Sequence, residues 1–248
     1  MKPTTPRFYL PIDYAPGPLT LPESVAHHAV RVCRMRVGDR LTLFNGNDCE
    51  AVAVLTKAEK PCLVEVEEIE AVCRESPLDV TLIQALPAMD RMDTIVQKSV
   101  ELGVTRIYPV ITRRSVRIDS DRAANKTRHW QRLAVAACEQ SGRTRIPTVH
   151  PPGPLVTRLT SPTWPHGATR WLLAPEATRS LATETINRAS PQGLCLLVGS
   201  EGGFEPGEIE SIVKADFQPV RLGPRVLRTE TAGPVAIAVC QTAYGDFR

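Results

Sequence analysis

Along the first third of the chain, apolar and polar side chains alternate one for one. "DRLTLFNG" (39–46) and "EAVAVLTKA" (50–58) carry this period of two, and "CLVEVEEIE" (62–70) continues it. Three strands are predicted, each with one face toward a core and the other toward water. "NGND" (45–48) is a hairpin turn signal between the first two. Upstream, "PESVAHHAVRVCRMRVGD" (22–39) spaces its apolar residues as an amphipathic helix, with Gly38 as its stop. A small β-barrel with one helix buries this pattern, and "CRESP" (73–77) reads as a linker. A first domain is therefore expected over residues 1–75.

From residue 78 the rhythm changes. "LDVTLIQALP" is a strand-like apolar run and "RIYPVIT" another strand, while "TRWLLAPE" and "GLCLLVGS" are short continuous apolar runs, the pattern of strands buried on both faces. Between and after them lie "DRMDTIVQKSVELGV", "NKTRHWQRLAVAACEQSG", "PGEIESIVKAD" and "AGPVAIAVCQTAYG", all at helical spacing. Alternation of strand and helix predicts an α/β fold with a parallel sheet over residues 76–248. The last helix carries almost no charge, so burial on all sides is expected. "HPPGPLVTRLTSPTWPHG" (150–167) reads as a proline-rich connection.

Composition narrows the class. The chain has 248 residues, 42% hydrophobic and 23% charged, in the range of ordinary globular proteins. No apolar run approaches the roughly 20 residues that span a bilayer, so no membrane partner is expected. The N-terminus lacks the apolar core of a secretory signal, which makes the cytoplasm the expected location. Seven cysteines without a CxxC, and five histidines without helical pairing, predict neither a disulfide framework nor a metal site. The net charge of +3 is unevenly spread: residues 106–145 hold ten Lys/Arg against three acids. That surplus fits either a polyanion partner such as RNA or a solvated helix face.

Two glycine-bearing segments follow buried strands. Gly199, Gly202 and Gly203 in "LLVGSEGGF" allow close approach of a ligand to main chain, without a Walker loop or a GxGxxG fingerprint. "RLGPRVLRTETAG" (221–233) repeats the arrangement ahead of the uncharged helix. Thr229 or Thr231 is expected to cap that helix, with buried Val226 and Leu227 walling an apolar pocket and Arg225 and Arg228 at its mouth. Both loops at the carboxyl ends of buried strands predict one shared crevice. Lys98 and Glu101 in "QKSVELGV", three apart, are placed to pair on one helix face.

"QKSVELGV", "ACEQSGR", "LLVGSEGGF" and "LGPRVLRTETA", in this order along the chain, together with "RFYL" and "HHAVRVCRMRVGD" near the N-terminus, closely resemble the RsmE family of 16S rRNA uridine-N3 methyltransferases. The resemblance implies a PUA-like RNA-binding β-barrel followed by a SPOUT α/β domain with a C-terminal trefoil knot. It also implies S-adenosylmethionine as cofactor, 16S rRNA or the assembled small subunit as substrate, and a homodimer. Carried across, the cofactor site comprises Leu173, Gly199, Ser200, Glu201, Gly202, Leu222, Gly223, Arg225 and Leu227. Ser200 departs from the family, which usually has proline there. For the chemistry, Arg228 is the candidate to stabilise charge on the uracil carbonyls, and Glu230 either orients it or takes the N3 proton. Arg113, Arg114 and Arg117 suit phosphate contacts. Arg7, Arg31, Arg34 and Arg143 extend the expected RNA surface, Arg31 and Arg34 adjacent on a helix and Phe8 and Tyr9 offering stacking; Glu139 and Gln140 are placed to meet RNA or a partner subunit. Two competing readings are a non-catalytic RNA-binding or ribosome-assembly protein that keeps the fold, and a nucleotide-dependent oxidoreductase. The late position of the glycine loops argues against the second.

Overall fold

The computed structural model describes residues 5–88, 90–160, 167–187 and 189–247. Part of the proline-rich connection, 161–166, lies outside them. The chain forms two compact units.

The first unit comprises Met1–Glu75 and Cys138–Ile146. In chain order its elements are β1 (Arg7–Tyr9), β2 (Gly17–Thr20), α1 (Glu23–His27), a π-helical turn (His28–Val32), β3 (Arg40–Phe44), β4 (Cys49–Lys57) and β5 (Leu63–Ala71). The sheet order is β1-β3-β4-β5-β2, with β1 parallel to β3 and the other pairs antiparallel. The period-two pattern turns Leu41, Leu43, Ala51, Ala53, Leu55, Val64 and Val66 into one core with Phe8 and Leu10. The helix expected to run to Gly38 ends at Val32, and Arg34 adopts a left-handed backbone with φ 56°. Arg31 and Arg34 are therefore not neighbours on a helix face, although both are exposed.

The second unit comprises Ser76–Ala137 and Pro147–Arg248. It runs β6 (Val80–Ala85), α2 (Arg91–Glu101), β7 (Arg106–Ile111), α3 (Ser120–Ser141), β8 (Thr148–Val149), β9 (Gly153–Pro154), α4 (Leu155–Leu159), β10 (Thr169–Leu173), α5 (Leu181–Asn187), β11 (Leu194–Val198), α6 (Pro206–Lys214), β12 (Gln218–Val220) and α7 (Thr229–Tyr244); the last turn of α3 belongs to the first unit. All strand pairs are parallel, in the order β12-β10-β11-β6-β7-β8, with β9 also on β7. Every residue of β6 and β11 is buried, as expected for central strands covered on both faces. The chain visits β10, then β11, and returns past β10 to β12. α7 packs on α2, α5, β6 and β11. It is not buried all round: Gly233, Pro234, Ala236, Ile237, Cys240 and Tyr244 are covered, whereas Thr231, Val235 and Thr242 are exposed. A helix whose one charge is Glu230 thus leaves a stripe of two threonines and a valine on the surface.

Candidate active site

Three parallel strands end side by side, β10 at Leu173, β11 at Val198 and β12 at Val220. The segments leaving them enclose a cavity of about 490 Å³, within the usual range for small-molecule sites. Its walls are largely apolar, with Leu172, Leu173, Val198, Phe204, Ile209, Val220, Leu222 and Leu227. Gly223, in the wall, has φ +138°, a conformation that a residue with a Cβ resists. Of the cofactor residues expected from the sequence, Leu173, Gly199, Ser200, Glu201, Leu222, Gly223, Arg225 and Leu227 all line this cavity.

Gly202 does not. A Cβ there would stand 3.0 Å from the Cβ of Arg114, and the Arg114 guanidinium donates to the Gly202 carbonyl at 3.1 Å. Gly202 is small because the segment after β7 packs on it. Ser200 joins the same contact, its hydroxyl donating to the Arg114 carbonyl at 3.1 Å. Glu208 completes it by accepting from the amides of Arg113 at 2.8 Å and Glu205 at 2.9 Å, the latter as part of the α6 capping box.

The start of α7 is fixed from below. Thr229 is the first residue of the helix rather than its cap. Its hydroxyl donates to the Gly199 carbonyl at 2.7 Å and accepts from the buried Gln84 amide at 3.0 Å, tying α7 to both glycine loop and sheet. Arg228 occupies the cap position with an extended backbone, φ −64° and ψ 152°, and no side-chain cap bond. Its exposed side chain borders the cavity alongside Arg225. Val226, expected to be buried, is 77% exposed, so it forms a lip of the cavity and not a wall inside the core.

Arg91 organises the acids, and nothing in the local sequence signals it. From the first turn of α2 it hydrogen-bonds the Glu201 carboxylate and lies 3.9 Å from Glu230. Glu201 also accepts from the Ala88 amide at 3.2 Å. Burial pushes the Glu201 carboxyl up, but its own amide, that of Ala88 and the Arg91 guanidinium hold it below the usual carboxylate range. Glu230 pairs with Arg91 at 3.9 Å, and among the described residues no ion pair joins it to Arg228. Partners of Arg91 lie 110 and 139 positions away in the chain, beyond the reach of any spacing rule.

The expected RNA-facing arginines divide. Arg143 is 7% exposed and bonds the Glu75 carboxylate at 2.5 and 3.0 Å. Arg7 bonds Glu50 at 2.5 Å and the Cys138 and Arg143 carbonyls at 2.9 and 3.1 Å, with its guanidinium over the Phe44 ring. Both are packing elements of the first unit, removed from solvent by ion pairs. Glu139 likewise turns inward, accepting from the Tyr9 amide at 3.0 Å. Arg31, Arg34, Arg113, Arg114 and Arg117 remain exposed. Much of the basic surplus over 106–145 is answered by acids from elsewhere: Arg106 by Asp79, Lys126 by Asp90, Arg143 by Glu75 and Arg145 by Asp48. Lys98 and Glu101 pair at 2.9 Å, as their spacing predicts.

Residues 74–241 match the RNA methyltransferase domain family, and residues 21–67 the RNA methyltransferase PUA domain. The chain belongs to the RNA methyltransferase family. Within that family it is 32% identical to the ribosomal RNA small subunit methyltransferase E of Buchnera aphidicola subsp. Acyrthosiphon pisum, over 90% of this chain and 87% of the relative. The Bacillus subtilis protein of the same name is 33% identical over 86% of this chain and 85% of its own. Among solved structures, the ribosomal RNA small subunit methyltransferase E of Neisseria gonorrhoeae, bound to S-adenosyl methionine, superposes with a TM-score of 0.89 at 39% identity, covering 98% of this chain and 100% of the other. A Legionella pneumophila methyltransferase in complex with the bound cofactor SAM gives 0.91 at 38% identity, covering 98% and 99%. This RNA methyltransferase therefore carries its glycine loops, its cavity and Arg228 on a fold shared along nearly the whole chain with cofactor-bound relatives.

Proposed function

We propose that the protein methylates N3 of a uridine in 16S rRNA, using S-adenosylmethionine held in the cavity between β10, β11 and β12. The carrying observation is that cavity itself, built at the carboxyl ends of three parallel strands with Arg228 at its mouth, in a member of an RNA methyltransferase family. The residues fit such a cofactor. Apolar side chains suit an adenine and a thioether, main chain of the Gly199 and Gly223 segments is open to its polar edges, and the Glu176 and Glu201 carboxylates border the space. When bound, S-adenosylmethionine supplies an electrophilic methyl group on a sulfonium.

The protein's own share is to make N3 a better nucleophile. As the N3 proton leaves, charge spreads to the O2 and O4 carbonyls of the uracil, and the Arg228 guanidinium stabilises it there as an oxyanion hole does. Glu230 is the proposed acceptor of the N3 proton, directly or through one water; it follows Thr229 of the cavity lining, and its carboxylate lies 3.9 Å from the Arg91 guanidinium. Arginine itself stays protonated and is no base.

The finer features of the reading go with this proposal. The return of the chain from β11 past β10 to β12 is compatible with a trefoil knot. The exposed stripe of α7 at Thr231, Val235 and Thr242 suits a homodimer interface. Arg31, Arg34, Arg113 and Arg114 are the proposed RNA-facing charges, and the enzyme is proposed to act in the cytoplasm; among the described residues no helix is long and apolar enough to cross a membrane.

The test is calorimetric titration with S-adenosylmethionine, its demethylated product and NAD, followed by incubation with small-subunit rRNA. Binding of the first two alone, with a new stop to reverse transcription at a uridine, is expected, since N3 methylation removes the pairing edge. Binding of NAD, or methylation of a ribose or another base, would overturn the reading.

A further inference from the structure

The second unit has a second cleft, of about 590 Å³, bordered by the segment after β6, the start of α2, the segment after β7 and α3. We infer that it is a subsite for an unpaired nucleotide of the RNA that flanks the target base; the inference rests on the RNA methyltransferase reading above. Arg91 lines the cofactor cavity while Asp90 and Met92 line the cleft, so the first turn of α2 borders both.

Two kinds of surface meet there. From α3, Arg122, Asn125, Lys126 and His129 stand at i, i+3, i+4 and i+7, one face of the helix. Arg117 opposes them from the segment after β7, so three cations surround one opening. Beneath them lie buried Leu86, Met92 and Trp130, with Val116 left 45% exposed in the same cleft. Cations alone suit any phosphate, and an apolar slot alone suits any greasy side chain. Both together suit a nucleotide, with its phosphate at the rim and its base inside.

The acids in the cleft are already engaged. Asp93 accepts from the Trp130 indole at 3.1 Å through one oxygen and lies 2.7 Å from the His129 ring through the other. It thereby fixes the two aromatic rings and presents no uncommitted oxygen to an incoming phosphate. Asp90 is 3.3 Å from Lys126 in a largely exposed pair, weak enough to yield to a phosphate.

The chemistry calls for such a subsite. Uracil N3 lies on the pairing edge, so the target must be unpaired or drawn out of a helix before it can react. Its neighbours are then single-stranded, and single strands are held by bases inserted in pockets together with cations on the backbone. A duplex cannot insert a base, which separates this cleft from a general basic surface.

Fluorescence anisotropy with a labelled single-stranded oligouridylate tests the inference, with a paired duplex of equal length as control and S-adenosylmethionine affinity measured separately. Lys126→Gln and Arg117→Gln should each weaken oligouridylate binding about tenfold and lower the salt slope by about 0.7, the value for one phosphate on a single strand. Cofactor affinity should stay unchanged in both. Val116→Trp, which fills the slot and spares every charge, should weaken binding without altering the slope. Unchanged affinity and slope in Arg117→Gln, on an exposed segment that leaves the core untouched, would overturn the subsite, as would equal losses for the duplex. A protein that binds no S-adenosylmethionine but keeps these RNA effects would overturn the enzymatic reading and leave the subsite standing.

Discussion

Arg228 and Arg143 show how far apart two arginines of one chain can be in role. Arg228 caps α7 without a side-chain bond, is exposed, and borders the cavity. Arg228→Ala should lower kcat by about 10²–10³-fold, the usual loss for one donor to a developing oxyanion, and leave cofactor affinity intact. Rapid-quench methyl transfer beside calorimetry checks both halves; normal turnover would remove Arg228 from the chemistry. Arg143 is enclosed with Glu75, and the same carboxylate accepts the Thr144 and Arg145 amides at 3.0 Å. Arg143→Ala leaves that carboxylate buried without its cation, so a stability loss of about 3–5 kcal/mol is expected. Denaturant unfolding measures it, and RNA binding of the folded fraction should keep its salt slope. A changed slope with unchanged stability would return Arg143 to the RNA surface.

At the scale of elements, the segment after β7 is held on the loop after β11 by Ser200 and Gly202 and on the first turn of α6 by Glu208. Ser200→Ala removes the hydroxyl bond to Arg114, worth about 0.5–1.5 kcal/mol net. Faster amide exchange at 112–117 is the expected result, with exchange in β11 unchanged; identical exchange throughout would mean that Gly202 and Glu208 hold the segment without Ser200. Gly202→Val should likewise displace that segment by its clash with Arg114, and reach the cofactor only through it. These contacts show where the sequence was legible and where it stopped. "LCLLV" announced a strand buried on both faces because a fully apolar run has only one environment, whereas the equal burial of β6, with Thr81 and Gln84 in it, was not legible. The glycine loops announced the cavity because its lining follows from local backbone demands. Burial of Arg7 and Arg143 was illegible, since Glu50 and Glu75 reach them only through tertiary folding. So was Arg91, whose partners come from the loop after β11 and the first turn of α7. The end of the first helix at Val32 and the exposed stripe of α7 were missed for a related reason: apolar spacing reports which side chains seek cover, and the packing around them decides how many obtain it.

For the molecule as a whole, the same pairing of arginines with half-buried acids sets its response to acid. In the first unit, burial raises the Asp48 and Glu50 carboxyls, but bonds from Arg145 and Thr144 to the one, and from Arg74 and Arg7 to the other, bring both below the usual range. Glu201 in the second unit is lowered in the same way. A carboxylate with a depressed folded pKa contributes stability that is complete above its unfolded value, about 4, and is lost as pH falls through the folded one. Glu139 has the opposite sign. Burial raises it above the ordinary value, more than the Tyr9 amide, His28 and Arg7 lower it. The native state then holds its proton more tightly than the unfolded chain, so this residue favours folding as pH falls toward its raised pKa. Between pH 7 and about 5 the Glu139 gain is opposed by His150, whose imidazole is pushed down by burial and by Arg158 and Arg106; a histidine held neutral in the fold loses stability as pH falls below its unfolded value, about 6.5. The steep drop should come only below about 4, where the paired carboxylates protonate. Thermal melts across that series measure the profile, and Glu139→Gln should make stability fall further between pH 7 and 5 while leaving the steep limb in place. An unchanged pH 7 to 5 limb in that variant would remove Glu139 from the acid response.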